Sequence, residues 1–519
     1  MMASKCLQIL YQLQESFSNP TPRPGLHPIP DSKPLTFTAA LLPPLLYYFA
    51  LLLLAPPPPP AINRTSVKIL RNCLALTAGV LFFRLPLVYH VPQSIGLTYQ
   101  LGLVGLYGGC RVLDAFFISP YLFEHIPRRV KYHHRLRVES QEQGAKHIDK
   151  EWTNGGVADP FHHSGASQED MVKIMRNRST FSVKESNVQP TNNSIPGSAM
   201  RVLRNSISGP DPIPVYETAV TEIGWPTTLF DRAAWALELE LSMRGIGFTW
   251  TTADVRHTRK TWLPTVQNRI HSILVHVCPV LLVSWAVIRT IYLRYLLSTQ
   301  DAPWNAYSAY DLFDHRIPML FQLLLTAALG AFLMAAFSFG HSLFAIMLHP
   351  LRPSPLAFFP PLYTTRPWDI TSVRKFWSFG WHRLFARLFL VYGVWPGEWM
   401  ERKLLRKGPD QPADVGKVIG AFLSSAFVHS FSVRGVLAGD WRMATGEAKF
   451  FALNGLAVVL EGAIIRAVSK RRKEKGLPIH MWYDSVVGRV WWISVILWTG
   501  RNFARGWVKS SLVREMAFL

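Results

Sequence analysis

The chain has 519 residues, 49% of them hydrophobic and 13% aromatic, with 55 Lys and Arg against 33 Asp and Glu and a formal net charge of +22. Its mean hydropathy of +0.13 stays positive although a long polar stretch dilutes it, which argues against an ordinary soluble chain. The basic residues flank apolar spans, so the charge reads as positive-inside topology and contact with an anionic membrane face, with no nucleic acid implied.

A bilayer core needs roughly 20 apolar residues in a helix. The N-terminal residues 1–35 show no charged start running into an apolar core, so no cleavable signal is expected. Thr36–Ala55 is then the clearest span, closed by Pro56–Pro60, and Ile69–His90 and the Gly- and Leu-rich Ser94–Ile118 follow. Residues 126–225 change composition to Arg, Lys, His, Ser, Asn and Pro. They predict a polar cytosolic loop, disordered in its middle. Ile270–Leu297, Pro318–Leu348, Val415–Val433, Lys449–Ala467 and Val486–Trp507 bring the total to about eight spans, with a further half-span near Leu384–Trp395. The expected organisation is an N-terminal tail (1–35), three transmembrane helices (36–125), the loop (126–225), a transmembrane core (226–510) and a C-terminal tail (511–519). No internal repeat is present, which weakens a transporter built from duplicated halves.

Charge sets the orientation. The basic 126–267 region, 350–410 and Lys470–Lys475 are expected in the cytosol, and the acidic stretch after the fourth span on the other side. The N-terminus then falls on the lumenal side, and so does the C-terminus, although Arg501, Arg505, Lys509 and Arg514 make it basic. The sequons at Asn63, Asn177 and Asn192 are expected to face the cytosol and stay unmodified. Four cysteines, at 6, 73, 110 and 278, form no C-x-x-C pair, so neither a disulfide framework nor a metal site is expected.

Three stretches draw attention. His429 lies in the apolar run AFLSSAFVHSFSV, where an ionisable group must face a bundle interior or a wet cavity. His276 and His341 have equal claims on that ground, and packing competes with function for each. In Ser372–Tyr392, residues Trp377, Trp381, Leu384, Phe385 and Leu388 mark one face of an amphipathic helix, with Arg383 and Arg387 on one flank and His382 on the other. That pattern reads as a helix in the membrane interface. In MRGIGFTW (243–250), two glycines at spacing two permit a tight turn, and Arg244 offers a fork suited to phosphate. It is neither a Rossmann nor a P-loop fingerprint.

Taken in order, these stretches resemble the membrane-bound O-acyltransferase family, in particular its wax-synthase-like branch and the fungal members that acetylate terpenoids and meroterpenoids. Arg244-Gly-Ile-Gly-Phe-Thr-Trp250 matches an RGIGW-x-W stretch. Ser372-Val-Arg-Lys-Phe-Trp-Ser-Phe-Gly-Trp-His382 matches an S-x-R-x-FWGRRWH-like stretch, except that Ser378-Phe379-Gly380 stands where the family has GRR. Phe427-Val-His429-Ser and the run from Phe450-Phe451 through Asn454-Gly455 to Glu461 complete the series.

The resemblance implies an all-α, polytopic transmembrane helical bundle in the endoplasmic reticulum. Its activity would be acyl-CoA-dependent O-acyl transfer, most simply acetyl transfer from acetyl-CoA to a hydroxyl of a terpenoid-type secondary metabolite. Acetyl-CoA would be a co-substrate, with no permanently bound cofactor, and the acceptor an apolar alcohol entering from the bilayer. It assigns His429 as general base and His382 as a catalytic partner at the oxyanion or substrate. Arg244, Arg374 and Arg383 are assigned to the donor, and Trp377, Trp381 and Asn454 to substrate. A wax or sterol ester synthase using long-chain acyl-CoA is the alternative within the class. A polytopic transporter, with Glu461 as an intramembrane acid, or a non-catalytic scaffold lies outside it.

Overall fold

Met319–Leu348 runs for 30 residues without an Asp, Glu, Lys or Arg, so hydrocarbon can surround it while its backbone bonds close within the helix. The same logic produces most of the chain. A computed structural model describes residues 23–56, 64–123, 125–136, 216–250, 265–297, 310–348, 362–363, 367–408, 411–479 and 481–518. The first 22 residues, the middle of the polar loop and all three sequons lie outside them.

In chain order the helices are α1 (Phe37–Leu52), α2 (Arg64–Val88), α3 (Ile95–Leu113, prolonged to Leu122 through a π-helical turn), α4 (Leu229–Leu241), α5 (Val266–Leu296, with π-helical turns), α6 (Met319–Leu348), α7 (Trp395–Leu404), α8 (Asp414–Arg434), α9 (Thr445–Glu474), α10 (Trp482–Lys509) and α11 (Leu512–Ala517). All eight expected spans are helical. Among the described residues six are long and apolar enough to cross a membrane: α2, α3, α5, α6, α8 and α9. Two of the eight expected spans fall outside that set. α1 has only 16 residues, about 24 Å at 1.5 Å per residue. α10 has 28 but carries Asp484, Arg489, Arg501, Arg505 and Lys509. It is polar because those side chains are paired inside the protein: Arg472 with Asp484 at 2.6 Å, Arg501 with Gln322 at 3.0 Å and Lys509 with Asp311 at 3.3 Å. The six apolar helices make this an integral membrane protein with a helical bundle.

One end of the bundle gathers residues far apart in sequence. Lys33–Pro34 pairs in parallel with Tyr89–His90, and His27 bridges to Leu437. The expected C-terminal tail is instead a buried helix. Leu512, Val513, Met516 and Ala517 enter the core that holds Ile95, Ile288 and Leu325. Glu515 accepts from the Gly96 N–H at the start of α3 (2.6 Å) and pairs with Arg23 (3.1 Å). Both described termini therefore share one end of the bundle, as an even number of crossings requires. The expected boundary between helices 1–3 and the core also dissolves, because α3 packs into both groups. At the other end Val130–Leu136 pairs antiparallel with Tyr216–Glu222, so the polar segment 126–225 begins and finishes as a strand pair. The opposite end also carries Arg387 on Asp114 at 2.7 Å, an ion pair that ties the segment before α7 to α3.

The single amphipathic helix expected over Ser372–Tyr392 is broken. A short helix Val373–Lys375 opens into a π-helical turn Phe376–Gly380, Trp381 is extended (φ −113°, ψ 157°), and helix resumes only at Ala386. The cause is anchoring from below. Glu461 on α9 accepts from the backbone N–H of Val373 (2.8 Å) and Arg374 (3.3 Å) and from the Trp491 indole (3.0 Å), pinning the first turn. Arg387 pins the second to α3.

The Glu515 contacts give a direct test. Replacing Glu515 with Ala leaves the Gly96 N–H and Arg23 without their acceptor inside the protein, at a cost of about 1–3 kcal/mol. Thermal unfolding of the purified protein should move down by about 1–3 °C. An unchanged midpoint would mean that the C-terminal helix is not docked in this way.

Candidate active site

His429 is the hub of a buried polar group drawn from four helices. Its Nδ1 lies 2.9 Å from the hydroxyl of Tyr99 on α3 and 4.0 Å from Oε2 of Glu447 on α9. The other Glu447 oxygen accepts from the indole N–H of Trp507 on α10 at 2.7 Å. Glu447 is 0% exposed, and its Oε2 has no hydrogen-bond partner. Tyr99 packs edge-on against Trp507 at 5.5 Å, and Phe451 stacks on the His429 ring at 4.6 Å.

Small residues at the helix crossings make this meeting possible. A Cβ at Gly102 would stand 2.6 Å from the Ser432 backbone, so α3 and α8 touch there; one turn away on each helix are Tyr99 and His429. A Cβ at Gly446 would stand 2.5 Å from the Asn502 carbonyl, and this second close approach brings Glu447 beside Trp507. Nothing in the sequence marks Tyr99, Glu447 or Trp507. Glu447 reads there as an acid complementing a helix N-terminus, and 330 residues separate Tyr99 from His429.

The geometry separates the three histidines. His276 is exposed on α5, near the ring of His271. His341 on α6 has its Nε2 3.4 Å from the guanidinium of Arg244. Only His429 joins a carboxylate and a phenol.

His382 occupies the break between the two helical pieces, against Phe337 at 4.7 Å and Phe385 at 6.1 Å. Its Nδ1 is buried without a partner. Burial pushes its imidazole down to about 3, and the nearby charges of His429 and Arg244 add to the shift, so it is neutral at physiological pH. His382 therefore lies within electrostatic reach of both the His429 hub and a group of cations.

That group contains two of the three expected donor-binding arginines. Arg244 opens a tight turn held by positive φ at Gly245 (68°) and Gly247 (81°). The turn is fixed to α3 because Arg111 donates to the carbonyls of Leu239, Ser242 and Met243. Burial lowers the Arg244 guanidinium to about 10, with the charge of Arg269 adding to it. Arg383 is lowered to about 10 by burial and by Arg244. It lies 4.9 Å over the ring of Phe379. Phe379 belongs to the Ser-Phe-Gly departure, so the segment supplies a face for one arginine instead of two further charges. Arg269, near the start of α5, joins this cluster unforeseen; Arg374 stands exposed, its backbone on Glu461.

Trp377 donates to Asn454 Oδ1 at 3.1 Å, and the Asn454 amide donates to Thr499 Oγ1 and the Phe450 carbonyl. Asn454 is 0% exposed, so it reaches any ligand only through Trp377. The Trp377 ring meets Phe450 and Phe451 at 5.8 and 5.7 Å, and Trp381 meets Tyr363 and His382. An aromatic wall thus runs from Trp377 through Phe451 to His429. Arrangements of this kind suit proton transfer at an apolar centre beside a site for an anion. Among the described residues no group of His, Cys, Asp and Glu is placed to hold a metal.

Residues 359–453, which include His382, His429 and Glu447, match the model of the membrane bound O-acyl transferase family. Over 242 residues the chain is 24% identical to acetyltransferase eriL of Hericium erinaceus; the alignment covers 45% of this chain and 58% of that protein, a little over half of its length. No solved structure matches. The family match falls on the segment that carries both histidines, and the similarity to a fungal acetyltransferase agrees with it: over this segment the chain is similar to membrane-bound O-acyltransferases.

Proposed function

We propose that the protein is an acetyltransferase of the endoplasmic reticulum membrane that moves the acetyl group of acetyl-CoA to a hydroxyl of an apolar, terpenoid-type alcohol. The observation that carries this reading is the seat of His429, a neutral-capable base held at Nδ1 by Tyr99 and lined by Phe451. An alcohol attacks a thioester slowly until a base takes its proton during attack, and a positioned histidine suits that task near neutral pH. His429 would take the hydroxyl proton as the oxygen adds to the thioester carbonyl. The tetrahedral oxyanion then needs a donor, and His382, neutral and with one ring nitrogen unpartnered, suits that position; losing one such donor costs about 3 kcal/mol of barrier. As the C–S bond breaks, the proton held by His429 would pass to the departing thiolate.

The donor's phosphates need cations on the side from which a polar molecule can enter. Arg244, Arg269 and Arg383 are grouped near the beginning of α5, at the end of the bundle expected to face the cytosol. The acceptor needs apolar walls, and the Trp377–Phe451 surface supports that. Similarity to a protein named as an acetyltransferase supports the short acyl group.

Microsomes containing the protein, supplied with radiolabelled acetyl-CoA and a terpenoid and lipid extract, should form labelled ester, and His429→Ala should reduce it by at least 100-fold. Equal labelling in His429→Ala would refute the base assignment. Stronger labelling from oleoyl-CoA would identify a long-chain ester synthase, and no labelling from either donor would reject the acyltransferase reading.

The arginines give a second test. Arg244→Ala and Arg383→Ala should raise the KM for acetyl-CoA about tenfold or more with a smaller change in kcat, whereas exposed Arg374→Ala should leave both within about twofold. An Arg374 effect larger than that of the other two would move the donor site.

A further inference from the structure

Glu447 makes none of the contacts expected of an acid in the first turn of a helix. One oxygen is taken by the Trp507 indole, and the other points towards the His429–Tyr99 pair without a hydrogen-bond partner. The Tyr99 hydroxyl lies 2.9 Å from His429 Nδ1, and Glu447 Oε2 stands 4.0 Å from the same nitrogen. A tyrosine hydroxyl carries a single proton, so where that proton points decides the tautomer of the histidine. If it points at Nδ1, the neutral imidazole holds its own proton on Nε2 and cannot act there as a base. If it points at the carboxylate, the Tyr99 oxygen accepts from Nδ1–H and the Nε2 lone pair is open.

An ionised Glu447 favours the second arrangement, because a fully buried carboxylate oxygen without a donor is costly and the Tyr99 hydroxyl on the same histidine nitrogen has a proton that can turn to it. A direct Nδ1–H donation to Oε2, 4.0 Å away, would leave the same nitrogen protonated. We propose that Glu447, acting through Tyr99, is a positioning residue that keeps the proton of His429 on Nδ1 and presents Nε2 to the acceptor alcohol, with Trp507 fixing the carboxylate. This rests on the acyltransferase reading above. In the reaction the alcohol O–H gives its proton to Nε2 as the new C–O bond forms. The imidazolium so formed is stabilised through Tyr99 by Glu447. The proton then leaves from Nε2 to the thiolate as the C–S bond breaks, so Glu447 and Tyr99 finish unchanged.

Tyr99→Phe removes one hydroxyl and keeps the ring against Trp507, and Glu447→Gln keeps the shape and removes the charge. Protein in lipid nanodiscs would be assayed by CoA thiol release from acetyl-CoA in the presence of the terpenoid and lipid extract. Glu447→Gln should lower kcat by at least 100-fold and Tyr99→Phe by at least tenfold, with the KM for acetyl-CoA within about twofold and the thermal midpoint retained. Because Glu447 acts through Tyr99, the double variant should be no slower than Glu447→Gln alone. A wild-type kcat in Glu447→Gln would overturn the proposal, and so would losses that multiply in the double variant or that follow a fallen midpoint. Where wild type turns over, His429→Ala does not and Glu447→Gln does, the positioning role fails while the acyltransferase reading stands. Where His429→Ala turns over like wild type, it is the base assignment that fails.

Discussion

An ionisable side chain in hydrocarbon must find its partner inside the protein, since the lipid supplies none. Much of the interior follows from that constraint. Arg111 in α3 spends its guanidinium on Tyr47, Tyr107 and the carbonyls before the Arg244 turn. Arg387 closes on Asp114 and Ser119. Glu461 takes the backbone of the segment that bears His382. Each bond satisfies a costly group, and each also locates a piece of the candidate site. The contacts that let the chain fold and those that build the site are therefore largely the same contacts.

Most of the architecture was legible in the chain because hydropathy reports directly on helices that hydrocarbon surrounds. The α6 run has no charge to confuse it. α10 was harder: its window mixes apolar residues with arginines, and only the partners Gln322 and Asp311 explain why these are tolerated. Periodicity misled over Ser372–Tyr392, since a regular apolar stripe describes a helix and has no means of reporting a break forced by Glu461 and Arg387. His429 and His382 were found through the order of motifs. Arg383 and Arg244 stand in one cluster, while Arg374, from the same motif as Arg383, faces outward.

The partners of His429 were illegible for a different reason. Tyr99, Glu447 and Trp507 come from three helices and share no spacing with it, and each has an ordinary reading where it stands: a tyrosine in an apolar helix, an acid at a helix start, a tryptophan near a helix end. What specifies them is the crossing geometry. Gly102 against Ser432 and Gly446 against Asn502 bring the backbones close enough for the side chains one turn away to meet. Small residues that look like packing in the sequence thereby act at a distance on the histidine.

The departure at Ser378–Gly380 takes on a narrower meaning in this light. Two charges are absent from the segment, yet the cluster beside His382 is still cationic, because Arg269 enters from α5 and Phe379 offers its ring to Arg383. Positive charge near a donor's phosphates need not come from one loop, since Coulomb attraction depends on distance and dielectric and not on which helix carries the cation. The more exacting requirement lies deeper in the bundle, where the state of a single proton on His429 depends on a carboxylate reached through one hydroxyl.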